Sequence, residues 1–192
     1  MSEKTDNSPG ETSRRSFVKK TGAVAATGAA IGFPSVTFGA PNDKKLKIGV
    51  VGTGGRGGGA MMNAMNADDN VELWSMADLY EEEATKKLEM VRKYASVRDK
   101  VSESIDGRVF SGLDGYKQVI DSGVDVILLT TPPGFRPQHF QAAGDAGIHA
   151  FVEKPCATDI AGVYDFLETS KQAAEKDLSV LCGFCYRYSE QG

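Results

Sequence analysis

The sequence is poor in the residues that build disulfide frameworks and metal centres. Its 192 residues include three cysteines and two histidines. An odd count of three cysteines argues against a disulfide framework. Cys182 and Cys185 form a CxxC pair, but the apolar residues around them predict a strand, on which positions three apart face opposite sides of the sheet. Because a zinc site would also need a second pair of ligands, we predict no metal site.

The sequence also has no excess of positively charged residues. The chain has 26 acidic and 22 basic side chains, which gives a formal net charge of −4. Residues 41–192 are the more acidic part, with 23 acidic and 17 basic side chains. Nucleic-acid binding needs clustered Lys and Arg to neutralise phosphates, so we expect no nucleic-acid partner. The hydrophobic share of 41% is enough for a globular domain with a core.

Residues 1–40 have the composition of an export signal. The basic segment SRRSFVKK, residues 13–20, precedes a weakly apolar run rich in Ala and Gly, and small residues follow. The paired Arg14 and Arg15 and the residues after them resemble the twin-arginine signal of bacteria. That resemblance implies export of the folded protein to the periplasm by the twin-arginine machinery. The alternative is a basic N-terminus with two arginines adjacent by chance. The apolar run is too short and too glycine-rich to predict a stable membrane span.

Glycine is concentrated in one stretch. Residues 47–62, KIGVVGTGGRGGGAMM, hold seven glycines directly after an apolar run that predicts a buried parallel strand. Gly52, Gly54 and Gly57 form the pattern G-x-G-x-x-G, and a helical pattern follows. In a dinucleotide site the first glycine allows a tight turn, the second leaves room for the pyrophosphate and the third lets the helix approach the strand. We predict cofactor contacts from Gly52, Thr53, Gly54, Gly55, Arg56 and Gly57.

Two charged residues refine this prediction. Arg56 would place a cation beside the phosphates, and the alternative is a surface arginine. Asp78 ends the next apolar run, VELWSMA, about twenty residues after the glycines, where a dinucleotide site has the acid that binds the ribose hydroxyl. Because a carboxylate there repels a 2′-phosphate, the sequence favours NAD over NADP. A second interpretation, that Asp78 caps the following helix, is compatible with this role.

Patterns typical of strands and helices alternate along residues 41–192. This alternation predicts an α/β fold with a doubly wound, mostly parallel sheet of six strands, the third of them weak. Ligands of such sheets bind beyond the carboxyl ends of the strands. We therefore expect the glycine turn and Asp78 to meet the residues after the fourth and fifth strands in one crevice. Those residues are Thr130, Thr131, Pro132, Pro133, Glu153, Lys154 and Pro155.

The motifs GTGGRG, TTPP and VEKPCATD, together with Asp78, resemble the glucose–fructose oxidoreductase and inositol dehydrogenase family (Gfo/Idh/MocA). The likeness covers residues 45–188. It implies an N-terminal Rossmann domain that binds NAD(P), a C-terminal α/β domain that contacts the substrate, and a homo-oligomer. Lys154 would be the catalytic residue near the nicotinamide, and Glu153 would orient the cofactor or serve the structure. The alternative for Lys154 is a surface lysine beside a proline.

Two features depart from the family pattern. The usual Pro-Asn-x-x-His after the fourth strand appears here as PPGFRPQH, so a cofactor role and a packing role remain equally open for His139. The sequence ends at YRYSEQG, just after the sixth predicted strand. We therefore expect residues 41–192 to form a Rossmann domain truncated before the substrate domain, with that domain absent from this chain.

The hypothesis that follows is an NAD-dependent oxidoreductase that acts on a sugar, polyol or related alcohol by hydride transfer. The sequence supplies only its nucleotide-binding half, which alone can lack activity. One alternative is a glycosidase of the same family that uses NAD for transient oxidation. The other is a non-catalytic nucleotide-binding module.

Overall fold

A computed structural model describes residues 44–188 of the chain, in which six strands alternate with five helices. The strands are β1 Leu46–Val51, β2 Val71–Asp78, β3 Val109–Ser111, β4 Val126–Leu129, β5 His149–Val152 and β6 Val180–Cys182. The helices are α1 Gly55–Ala67, α2 Glu81–Lys93, α3 Gly115–Asp121, α4 Arg136–Asp145 and α5 Ile160–Glu175. Short 3₁₀ turns cover Arg98–Lys100, Ile105–Arg108 and Cys185–Tyr188. The proposed export signal, residues 1–40, lies outside the described residues.

All six strands are parallel and follow the order β3-β2-β1-β4-β5-β6. The chain moves outward from β1 to β3 on one side, then returns to β4 on the other side of β1. This order confirms the predicted doubly wound sheet. Parallel sheets of this order bind ligands where the direction of winding reverses. In this chain the reversal lies between β1 and β4.

Apolar side chains fill both faces of the sheet. Residues of β4 alternate between the two cores: Ile127 and Leu129 belong to one, and Leu128 belongs to the other. Met61 and Met65 of α1 are fully buried on the second face. Each such side chain contributes about 1.5–3 kcal/mol by burial. Within residues 44–188, none of the helices combines the length and the hydropathy that a membrane span requires.

One detail of the sequence interpretation is wrong. Cys185 does not continue the sixth strand: β6 ends at Cys182, and Cys185 begins a 3₁₀ turn. The argument that the two thiols occupy opposite faces of one strand therefore fails. Cys156, Cys182 and Cys185 are all free thiols. Burial raises the pKa of the Cys182 thiol.

Helix α1 lies unusually close to the end of β1. Gly52 turns the chain with a positive φ of 91°, a conformation that favours glycine. A Cβ atom placed on Gly57 would lie 1.8 Å from the carbonyl oxygen of Gly52. Only a residue without a side chain fits at position 57. The third glycine of the motif therefore sets the distance between helix and strand.

We expect Gly57→Ala to lower the free energy of unfolding by about 3 kcal/mol or more, because the added methyl group meets backbone that cannot move aside. Urea denaturation of the purified chain measures this. Gly55→Ala is the matched control in the same helix, since no atom lies within 4 Å of its added Cβ. This control should change stability by less than about 1 kcal/mol. Equal losses in the two variants would contradict the packing role of Gly57.

Candidate functional site

A cleft of about 300 Å³ opens at the carboxyl ends of β1, β2 and β4. It lies at the point where the winding of the sheet reverses. Seven of the predicted site residues line this cleft. The structure thus brings distant parts of the chain together. The seven residues are Gly52, Gly54, Asp78, Thr130, Thr131, Pro132 and His139. The cleft does not include Pro133, Glu153 or Lys154.

The glycine turn has the features of an anion site. A Cβ placed on Gly54 would meet no atom within 4 Å, so the backbone there faces open space. The first backbone bond of α1 runs from the N–H of Gly58 to the carbonyl of Gly54. The N–H groups of Gly55, Arg56 and Gly57 therefore have no acceptor within the helix. Free donors at the positive end of a helix dipole suit a pyrophosphate.

Asp78 is fixed by the glycine turn. Its Oδ2 atom accepts hydrogen bonds from the Thr53 N–H at 2.6 Å and from the Thr53 hydroxyl at 3.0 Å. Thr53 is fully buried, so it positions Asp78 rather than contacting a ligand directly. The other oxygen of Asp78, Oδ1, makes only a long contact of 3.4 Å with the N–H of Tyr80. Tyr80, not Asp78, precedes α2 as its N-cap. One carboxylate oxygen thus holds the turn and the other is left for a ligand.

Apolar side chains form the remaining walls of the cleft, and the sequence interpretation missed them. Several are unusually exposed for their type, which is typical of a ligand-binding surface. The exposed ones are Leu79, Tyr80, Leu113 and Phe135. They line the same cleft as Asp78 and so provide apolar contacts within it. Leu113 and Phe135 come from loops whose sequence gives no periodic signal, which is why only the fold reveals them.

The residues after β4 connect the turn to α4. The Thr130 hydroxyl donates to the carbonyls of Gly52, at 2.5 Å, and of Val51, at 3.0 Å. The carbonyls of Pro132 and Pro133 accept from the N–H groups of Phe135 and Arg136 and so turn the chain into α4. Thr130 therefore fixes the glycine turn from the β4 side, as Asp78 does from the β2 side.

His139 is a buried wall residue. Its ring stacks on Tyr116, with 4.1 Å between ring centroids, and more loosely on Phe135 at 5.9 Å. Its Nδ1 atom lies 3.4 Å from the Thr131 hydroxyl. Burial lowers the pKa of His139 from 6.5 to about 4, so the ring is neutral at physiological pH. The geometry gives His139 a packing role and, at the same time, a place on the cleft surface.

Arg56 reaches from the glycine turn to the end of β5. Its Nε donates to Glu153 Oε1 at 2.6 Å, and an Nη atom lies 2.5 Å from the same oxygen. Glu153 is only 1% exposed, and its Oε2 accepts from the Lys154 N–H at 3.2 Å. A Cβ on Gly183 would lie 2.7 Å from Glu153 Oε1, so glycine is needed there for the carboxylate to fit. Arg56 is therefore neither a free surface arginine nor a cation reserved for phosphate.

Lys154 lies apart from the 300 Å³ cleft. Its side chain is exposed and makes no hydrogen bond or ion pair with another residue in the range 44–188. It follows buried Glu153 and precedes Pro155 through a cis peptide bond. Arg136, which the sequence interpretation did not assign to the site, donates from Nη1 to the carbonyl of Pro155. Arg56 thus binds the side chain of the residue before Lys154, and Arg136 binds the backbone carbonyl of the residue after it.

No group of three or more His, Cys, Asp or Glu side chains suited to a metal ion occurs among residues 44–188.

We expect Arg56→Met to destabilise the chain by roughly 2–4 kcal/mol, because the buried carboxylate of Glu153 loses its partner. Arg92→Met is the matched control: Arg92 pairs with the exposed Asp106 at 2.8 Å, and its loss should cost less than about 1 kcal/mol. Urea denaturation measures both. Arg56→Met/Glu153→Gln should recover part of the loss. Equal losses of stability in Arg56→Met and Arg92→Met would disprove a special role for the Arg56–Glu153 pair.

The stability of the chain should depend on pH through His139. Its pKa lies below that of the unfolded chain, so the unfolded chain binds more protons between about pH 4 and 6.5. The resulting stabilisation, roughly 2–4 kcal/mol, is present above pH 6.5 and is lost as pH falls towards 4. Urea denaturation from pH 7.5 to 4.5 should show a shallower pH slope for His139→Gln than for the unmodified chain. Parallel slopes would contradict this.

The chain matches a known family over most of the described residues. Residues 46–182 fit the model of GFO_IDH_MocA, described as an oxidoreductase family with an NAD-binding Rossmann fold. A solved structure of scyllo-inositol dehydrogenase from Lactobacillus casei, with bound NAD(H) and scyllo-inositol, superimposes with a TM-score of 0.60. It is 24% identical, and the match covers 77% of this chain and 38% of that one. At this identity the likeness shows the fold alone.

Two curated relatives are longer proteins. A glycosyl hydrolase family 109 protein from Solibacter usitatus (strain Ellin6076) is 28% identical over 188 residues, which is 94% of this chain and 41% of the relative. A second protein of that name, from Streptomyces coelicolor (strain ATCC BAA-471 / A3(2) / M145), is 25% identical over 128 residues, or 66% of this chain and 25% of the relative. The chain thus spans less than half the length of either relative. On the extent of the family match and the parallel sheet, the chain belongs to the Gfo/Idh/MocA oxidoreductase family and forms its NAD-binding Rossmann domain.

Proposed function

We propose that this chain is the nucleotide-binding part of an NAD-dependent oxidoreductase that acts on a sugar, polyol or related alcohol. The observation that carries the proposal is the bond between Asp78 and Thr53, because it fixes a carboxylate beside an anion-binding helix N-terminus. Family membership supports the choice of cofactor. The substrate class rests on the resemblance to sugar and inositol dehydrogenases.

The residues of the cleft fit the pyrophosphate and adenosine parts of NAD. The free N–H groups at the start of α1 would bind the pyrophosphate, and the open space at Gly54 would admit it. The Oδ1 atom of Asp78 would accept a hydrogen bond from a ribose hydroxyl. The apolar walls, with Leu79 and Phe135, would contact the adenine. Among the described residues, the cleft lining has no cation to pair with a 2′-phosphate, which favours NAD over NADP.

Lys154 is the residue that we assign to the reaction. Bound NAD supplies a hydride acceptor for the carbon of a substrate alcohol. The ammonium of Lys154 would donate a hydrogen bond to the substrate oxygen and stabilise the negative charge that develops there, while the hydroxyl proton passes to a general base outside the described residues. Glu153 would act indirectly, because its buried carboxylate holds the Lys154 N–H and binds Arg56. Arg136 would likewise position Lys154 through the carbonyl of Pro155.

A glycosidase that oxidises its substrate transiently is a second candidate. The names of the curated relatives favour it. The two activities differ in their products: a dehydrogenase accumulates NADH, whereas the glycosidase releases sugar with no net reduction of NAD. Parallel assays of NADH formation and of sugar release would separate them.

We also propose that the protein is exported by the twin-arginine machinery to the periplasm, on the basis of Arg14, Arg15 and the segment around them. The match covers only 41% of one curated relative, which is more than twice as long as this chain. We therefore propose that a downstream α/β domain supplies the remaining substrate contacts and the surface for a homo-oligomer.

Asp78→Asn should weaken NAD binding by about tenfold and narrow the preference for NAD over NADP. The amide keeps an oxygen for Thr53 but has no negative charge to bind the ribose hydroxyl or to repel a 2′-phosphate. Titration of the purified chain with NAD and with NADP measures both dissociation constants.

Asp106→Asn is the control for this experiment, because Asp106 is exposed and pairs with Arg92 outside the cleft. It should leave both constants unchanged. If the unmodified chain bound neither dinucleotide, the proposed function would be wrong. If Asp78→Asn left the ratio of the two constants unchanged, the role of Asp78 would be wrong.

A further inference from the structure

Helix α5, Ile160–Glu175, has an apolar side that is exposed in the described part of the chain. Four large side chains on it are exposed: Ile160 by 76%, Tyr164 by 68%, Leu167 by 51% and Val163 by 39%. Their spacing of i, i+3, i+4 and i+7 places them on one side of the helix. We call these four residues the α5 stripe. None of them lines the dinucleotide cleft.

The opposite side of α5 is packed against the domain. Thr169 and Ala173 are buried there, and Phe166 packs against the core. The helix is therefore apolar on two opposite sides, a pattern typical of helices that are covered on both. Helix α2 differs, because its exposed side carries charged residues such as Glu82 and Lys86. An exposed apolar patch of this kind marks an interaction surface.

The two ends of the α5 stripe carry opposite charges. Asp159, the N-cap of α5, directly precedes Ile160, and Lys171 lies one helical turn beyond Leu167. Lys171 contacts Glu168 of its own helix at 3.4 Å, an exposed pair that contributes little to stability. A surface with an acid at one end and a base at the other is complementary to itself when a second copy is turned by 180°.

A two-fold axis through the middle of the α5 stripe fits these features. It makes the α5 helices of two copies antiparallel, so that the stripe of one copy lies on the stripe of the other. Lys171 of each copy then lies within reach of Asp159 of the other copy, and the two Tyr164 rings lie near the axis. Antiparallel helices also bring opposite ends of their dipoles together.

The extent of the α5 stripe suits a dimer contact. A specific interface buries about 1,000 Å² or more in total and has an apolar centre enriched in aromatic residues such as tyrosine. The two-fold axis brings four exposed side chains from each copy into one such centre. Asp159 and Lys171 then belong to its polar rim.

We propose that the α5 stripe is the contact surface between two copies of this chain, related by a two-fold axis with their α5 helices antiparallel. The four stripe residues form the apolar centre, and a pair of Asp159 with Lys171 closes each end. Because the stripe lies outside the dinucleotide cleft, this contact does not depend on the proposed function.

Sedimentation equilibrium of the full 192-residue chain measures this association. We expect the mass to approach that of two chains as the protein concentration rises. Leu167→Glu should weaken the dimer by at least about thirtyfold, because it places a charge in the apolar centre. Leu46→Glu is the matched control, since Leu46 is 44% exposed at the start of β1 and lies outside the stripe. It should leave the dissociation constant of the dimer unchanged.

The charged residues test the antiparallel orientation. Asp159→Asn removes the charge but keeps a side chain that caps the helix, and Lys171→Gln removes the opposite charge. Each change should weaken the dimer by about two- to fivefold. The double variant should lose no more affinity than either single variant, because both changes break the same pairs.

Cross-linking tests the position of the axis. Cys185 is exposed, so the experiment uses a Cys185→Ser background. Under mild oxidation, Tyr164→Cys should form a disulfide between two copies, because residue 164 lies near the axis. Glu175→Cys should not, since residue 175 lies roughly 16 Å further along the helix and therefore far from its counterpart.

A chain that stays monomeric at every concentration would reject the second copy and leave the α5 stripe to another kind of partner. The proposal is also wrong if Leu46→Glu dissociates the dimer as strongly as Leu167→Glu, if neither charge variant weakens it, or if Glu175→Cys cross-links as readily as Tyr164→Cys. Tyr164→Ser is a second, uncharged variant of the stripe and should weaken the dimer by about tenfold.

Urea denaturation and NAD titration of Leu167→Glu separate self-association from folding and from cofactor binding. Both should match the unmodified chain, because Leu167 is half-exposed and lies outside the cleft. A dimer that binds no NAD would reject the proposed function alone. A monomer that binds NAD would reject the α5 contact alone.

Discussion

The close approach of α1 to the end of β1 is the constraint on which the site depends. Because Gly57 has no side chain, the helix begins against the carbonyl of Gly52. Its free N–H groups therefore face the mouth of the sheet, at the point where the winding reverses. The turn is then held from both neighbouring strands, by Asp78 of β2 through Thr53 and by Thr130 after β4. Structural packing and ligand-binding geometry are here produced by the same few contacts.

Buried charged side chains at the end of β5 are bound to specific partners. Glu153 is buried with one guanidinium bound to its carboxylate, and Arg136 is buried with its Nη1 on the carbonyl of Pro155. The Nε of Arg136 is buried without a hydrogen-bond partner among the described residues, an arrangement that costs free energy. Arg56 donates to the side chain of Glu153, and Arg136 donates to the backbone of Pro155, on either side of Lys154. Lys154 itself is exposed and makes no hydrogen bond or ion pair with the other described residues.

Most of the fold could be predicted because its signals are local. Continuous apolar runs such as VDVILL in β4 and helical spacing such as that of Met61 and Met65 in α1 do not depend on distant residues. The end of β6 was harder to predict, because the single apolar stretch LCGFC contains both the end of the strand and the start of the 3₁₀ turn. At the start of α5, Asp159 is the N-cap, and its Oδ1 accepts a hydrogen bond from the Gly162 N–H.

The sequence by itself determined the glycine turn, the acid at the end of β2 and the parallel alternation of strands, because each depends on residue type and spacing along the chain. Only the tertiary structure decided that Arg56 binds Glu153, 97 positions away, and that Arg136 holds Pro155. It also left Lys154 outside the dinucleotide cleft. Such pairings arise where strand ends meet in space, and the sheet order that brings them together has no counterpart in local spacing.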